Sequence, residues 1–85
     1  MLSFFKNHYQ EKYGIDYVKL HSDLKEWVKT LDKKKYPFGF HSETFNKKFN
    51  MKLNEKEFKH IMNILKLKVI NFIGYSVPLE QFEQL

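Results

Sequence analysis

Seven lysines stand between Ser42 and Lys68 in SETFNKKFNMKLNEKEFKHIMNILKLK, and only Glu43, Glu55 and Glu57 oppose them. The local charge is therefore +4, while the rest of the chain, eight lysines against seven acids, holds only +1 of the net +5. The chemistry open to a cationic surplus confined to one segment is neutralisation of the phosphates of a polyanion. Taken as a helix, the segment puts Lys56, Lys59, His60, Asn63 and Lys66 on one polar stripe and Phe58, Ile61, Met62 and Leu65 on an apolar one. Lys meets phosphate oxygens and Asn can pair with an adenine edge, so the polar stripe has the residue types of a DNA-contacting face. Lys47, Lys48 and Lys52 lie just upstream and extend the positive surface. The competing view is that these lysines coat ordinary solvated helices, their number reflecting the Lys, Asn, Ile, Phe and Tyr bias of an AT-rich genome.

Every basic residue is lysine. Arg supplies the bidentate fork that most often reads guanine, whereas Lys acts as a point charge. A lysine-only face should hold the backbone well and read sequence poorly, with His60 and Asn63 left to add any base preference. Other chemistry finds little footing. His8, His21, His41 and His60 are dispersed and lack the HExxH spacing of a zinc site. There is no GxSxG turn, no GxxxxGK followed by Ser or Thr, and no cysteine for thiolate ligands or disulfides. Glu55 and Glu57 suit the first turn of a helix, where they complement its dipole, better than a catalytic pair. No catalytic residue, cofactor or metal is expected.

Particular elements must position the lysines. At 85 residues the chain makes one domain, and its 18% aromatic content is too rich for a disordered one. No run of about 18 apolar residues and no signal peptide is present, so the expectation is a soluble, cytoplasmic protein with no membrane partner. Leu2, Phe5, Tyr9 and Tyr13 at helical spacing predict an N-terminal helix over 1–14, stopped by Gly14. IDYVKL alternates like a short strand that feeds straight into a helix. Leu20, Leu24, Trp27, Val28 and Leu31 predict an amphipathic helix over 18–32, which makes Trp27 a core anchor rather than a stacking platform. KKKYPFGF then reads as a loop, its Lys33–Lys35 run solvated or, alternatively, touching phosphate.

Ser42 is a candidate cap for a short helix bearing Phe45 and Phe49, which Asn50 can close in the left-handed conformation. Asn54 then caps a helix running to about Lys66, with Glu57 placed to complete a capping box and Leu53 and Phe58 to form a hydrophobic staple. LKVINFIGYSVPL shows two β-rich runs around Gly74, a hairpin over 67–79. Phe72 and Tyr75 near its tip could stack on bases or simply cover the hairpin. Helix, short turn, basic helix and hairpin, over 42–68 and 67–79, is the order of a winged helix-turn-helix: a mostly α fold with a small β-hairpin and an extra N-terminal helix.

Phe4, Phe5, Val18, Leu20, Leu24, Trp27, Phe45, Phe49, Phe58, Gly74 and Leu79 form a pattern that resembles the C-terminal module of phage, plasmid and poxvirus-type primase-helicases. The resemblance spans most of the chain. It implies a winged helix that binds DNA beside a ring ATPase, in replication of a mobile element, phage or virus, with a helicase or primase as protein partner. The ATPase motif is not in these residues, which implies an excised domain or a free-standing relative, and the lack of arginine departs from the pattern. The resulting expectation is a domain that binds duplex DNA with low to moderate specificity through Lys47, Lys48, Lys52, Lys56, Lys59, His60, Asn63 and Lys66. The alternative is a protein-docking module on the same scaffold that uses Phe38, Phe40, Phe72 and Tyr75. A tiny hydrolase or nuclease subunit is nearly excluded by the residue inventory.

Overall fold

A computed structural model describes the backbone of residues 2–71 and 74–84, and the side chains of 6–71 and 74–83. The expectations for Leu2, Phe4 and Phe5 as packing groups and for Phe72 as an aromatic lie outside the described residues. The order of elements is α1 (Leu2–Tyr13), α2 (Tyr17–Lys29), β1 (Phe40–His41), α3 (Ser42–Phe49), α4 (Glu55–Ile64), β2 (Ile70–Asn71), β3 (Tyr75–Val77) and a closing 3-10 helix (Leu79–Gln84). The protein is mostly helical with a small three-stranded antiparallel sheet, in the order β1-β3-β2.

α1 ends at Gly14, whose φ of +64° is the left-handed stop that its position suggested. IDYVKL forms no strand. Asp16 caps α2 by accepting from the Lys19 amide at 3.2 Å, so the helix begins at Tyr17 and buries Tyr17, Leu20, Leu24 and Val28 along one stripe. Val18 points away from that stripe and is 83% exposed. α2 also stops short of the expected residue 32. The Thr30 amide and hydroxyl both donate to the Trp27 carbonyl, at 2.9 and 2.6 Å, and close the last turn early.

The following stretch is not all loop. Asp32 folds it, with its side chain accepting from the Lys34 amide and its carbonyl from those of Lys35 and Tyr36. The chain then enters β1 at Phe40, which is fully buried and pairs with Val77 of β3. Gly39 allows that entry: its φ is +96°, and a Cβ there would stand 1.8 Å from the Val77 carbonyl oxygen. β2 joins the other edge of β3, Ile70 opposite Ser76 and Asn71 opposite Tyr75.

β1 runs directly into α3, and this moves the cap by one residue. His41, extended at φ −94° and ψ 168°, is the N-cap without a side-chain bond, and Ser42 is already helical. Asn50 closes α3 at φ +54°, as its type predicted. Asn46 then clamps the turn: its amide donates to the Leu53 carbonyl at 2.8 Å and accepts from the Leu53 amide at 3.1 Å. Both bonds vanish in Asn46→Ala, and a loss of about 1–3 kcal/mol is expected in urea unfolding. An Asn46→Ala midpoint equal to that of the parent chain would show that backbone geometry alone holds the turn.

Asn54 and Glu57 make the full capping box, the Glu57 amide donating to Asn54 Oδ1 at 2.8 Å and the Asn54 amide to Glu57 Oε1 at 3.2 Å. The apolar stripe of Phe58, Ile61, Met62 and Leu65 is buried, with Leu53 beside it. Phe58 meets Phe45 and Phe40 at ring separations of 5.6 and 6.2 Å, while Trp27 packs on Phe40 and Phe49. The helix ends at Ile64 rather than about Lys66: Leu65 is the C-cap, and Lys66 turns left-handed at φ +62°. Among the described residues no helix is long and apolar enough to cross a membrane.

Candidate nucleic-acid interface

At 100° per residue, α4 has three strips: the buried one just named, an outer one bearing Lys56, Lys59 and Asn63, and a lateral one bearing Glu57, His60 and Ile64. Lys56, Lys59 and Asn63 are exposed, as are Lys52 in the preceding turn and Lys66 just past the helix. Lys47 is exposed on α3. Lys48 is exposed too but sits elsewhere. It lines a hollow with Asp23, Glu26 and Trp27 of α2, so its surroundings are of mixed charge.

Ion pairing distinguishes some of the lysines from the rest. Among the described residues Lys12, Lys19, Lys29 and Lys33 pair with Glu57, Asp23, Glu26 and Glu83 respectively. All four lie outside the Ser42–Lys68 segment, and the other four outside it, Lys6, Lys25, Lys34 and Lys35, have no carboxylate partner among the described residues. Among the described residues none of the seven lysines inside it has a carboxylate partner. Lys59 makes a different contact, its ammonium standing 5.4 Å from the centroid of the Tyr75 ring. Tyr75 is half-buried and packed against the core, so it covers the hairpin and carries Lys59 on its face.

His60 does not share the exposure of its neighbours. It is half-buried on the lateral strip, with Nδ1 2.8 Å from the Tyr9 hydroxyl of α1. Its pKa is lowered, first by burial and then by the charges of Lys56 and Lys59. The expected base-facing imidazole is instead part of the α1–α4 seam. Glu57 anchors the other end of that seam: Oε2 accepts from the Tyr13 hydroxyl at 2.7 Å and from Lys12 Nζ at 3.0 Å, while Oε1 serves the capping box. Burial raises the Glu57 pKa, but the bonds from Tyr13, Lys12 and the Asn54 backbone outweigh it and leave the carboxyl below its ordinary value. Sequence reasoning found Glu57 as a cap but missed its long-range partners. The Tyr9–Tyr13 spacing was the available signal, and it specified a buried stripe without saying against what.

The two shifts have the same sign for stability. His60 binds a proton less readily folded than unfolded, so its contribution is complete above its ordinary pKa of 6.5 and is lost as pH falls from there through the lower folded value. Glu57 is depressed from 4.5, so its contribution fades only below that value. The urea midpoint is expected to drop in two stages on acidification, and His60→Gln should remove the first. A His60→Gln profile that keeps the drop starting near pH 6.5 would assign it to another group. Because His60 faces Tyr9 in the α1–α4 seam, binding is not expected to tighten towards pH 6 through it.

Among the described residues no three His, Asp or Glu side chains gather to hold a metal ion. The lysines of the outer strip are exposed side by side, and neighbouring like charges of this kind attract anions. No protein-family model, curated protein or solved structure matches this chain.

Proposed function

We propose that this chain is a DNA-binding winged-helix domain that holds the duplex mainly through lysine–phosphate contacts. The observation that carries the proposal is the set of exposed, unpaired lysines on and beside α4. A lysine already paired with a carboxylate gives up that partner when it binds phosphate, whereas an unpaired one releases only the DNA's counterions. The element order supports the scaffold: α2, β1, α3, α4 and the β2–β3 hairpin, with β3 between β1 and β2. α3 and α4 are then the helix-turn-helix and the hairpin is the wing, with α1 as an added helix. Replication of a mobile element, phage or virus, alongside a helicase or primase, is the setting that the resemblance to primase-helicase modules suggests.

Titration of the intact chain into fluorescent duplex DNA over a salt series tests this. About four neutralised phosphates correspond to a slope of log affinity against log salt of roughly −3 to −4. A flat salt dependence would sink the proposal and favour protein docking. That alternative has lost part of its basis, because Phe40 is fully buried and Tyr75 is half-buried under Lys59. Of its described aromatics Phe38 remains, 50% exposed.

A further inference from the structure

α1 lies against the lateral strip of α4 and runs antiparallel to it, since Tyr9 meets His60 while Tyr13 and Lys12, one turn later, meet Glu57, one turn earlier. His60 borders Lys56 and Asn63 on the helical wheel, so the added helix stands directly beside the lysine strip. The opposite border of that strip is occupied as well, by Tyr75 of β3 beneath Lys59. α4 is thus flanked on both sides rather than projecting from the domain.

Size decides what this permits. A major groove is about 12 Å wide and about 8.5 Å deep, which admits one helix. An α-helix with its side chains is about 10–12 Å across, and two packed helices stand about 8–10 Å apart axis to axis. α1 and α4 together therefore present a slab of roughly 20 Å, too broad for the groove. The contacts holding α1 in place are also not peripheral ones. Glu57 binds Tyr13 and Lys12 through one carboxylate oxygen and caps α4 through the other, so release of α1 would leave that buried carboxylate without both of its α1 donors.

Building on the proposed DNA binding, we infer that the chain takes the duplex across its outer phosphate ridge, with α1 docked and α4 outside the major groove. Tyr9, Lys12 and Tyr13 are the residues that set this mode, by holding α1 beside the lysine strip. The ligand is then B-form backbone of any sequence, contacted by Lys52, Lys56, Lys59 and Lys66. Asn63, although exposed, has no base edge within reach.

Two measurements on the unmodified chain test it. In interference footprinting, ethylation of phosphates is expected to weaken binding at least about tenfold at the contacted positions, and methylation of guanine N7, which projects into the major groove, by less than about twofold. In hydrogen exchange, the α1 amides are expected to keep their protection when duplex is added. Interference from N7 methylation would place α4 in the groove and overturn the inference. Faster exchange of α1 on binding would overturn it as well, because the bound form would then have released the helix. If no duplex of any kind binds at low salt, it is the proposed function that has failed, and this inference fails with it.

Discussion

Phe58→Ala is expected to lower stability by about 3–5 kcal/mol, the range for removing a fully buried aromatic side chain. Phe58 has no exposed surface and sits where α4 meets β1 and α3, in ring contact with Phe40 of β1 and Phe45 of α3. Its loss leaves a cavity bordered by aromatic rings that cannot all move inward at once, because Phe40 is held by strand pairing to Val77 and by contact with Trp27. Domains of this size are stable by only about 5–15 kcal/mol, so the variant gives up a large fraction of its stability. Urea unfolding followed by Trp27 fluorescence reads this directly, since Trp27 packs on Phe40. Phe58→Leu, which keeps most of the volume, should lie between the two. A cooperative Phe58→Ala transition within about 1 kcal/mol of the parent would mean that this packing does not carry the fold, against the usual cost of such a cavity.

The parts of this structure legible in the sequence are those specified by neighbours along the chain. Asn54 and Glu57 sit three residues apart and make their capping box with each other's backbone, and Asn50 needs only its own conformational tolerance to close α3. The buried stripe of α4 follows from spacing alone, as do Leu20, Leu24 and Val28 of α2, whereas Trp27 and Leu31 are only partly buried. The parts that were not legible depend on residues far apart in sequence. β1 is two residues long, and its identity as a strand comes from pairing with β3 across the whole of α3 and α4. That pairing makes His41, not Ser42, the last extended residue before α3. His60 looked like a member of the exposed stripe because it lies at its edge on the wheel, and contact with Tyr9 of α1, far away in sequence, sets it on the inner side of that edge. Among the site lysines, spacing identified Lys56 and Lys59 as exposed, but it could not show that Lys48 would face the acids of α2.

The lysine strip gives the other large effect. In the triple variant Lys56→Ala/Lys59→Ala/Lys66→Ala the salt slope of duplex binding is expected to shrink by about 3, roughly 1 for each phosphate contact removed. All three side chains are exposed and unpaired with any carboxylate among the described residues. Exposed substitutions of this kind usually change stability by no more than about 0.5 kcal/mol, so the variant should fold and the loss should belong to binding. Lys59 is the exception to watch, because its contact over Tyr75 also goes, and circular dichroism of the variant covers that point. Lys48→Ala provides the internal contrast: beside Asp23 and Glu26 it should change the slope by much less than Lys56→Ala, although the two remove the same charge. The weakening should be uniform across duplex sequences, because phosphate contacts carry no base information. If the triple variant folds and keeps both affinity and slope, the lysines of α4 do not touch DNA, and their lack of carboxylate partners is then a matter of solvation alone.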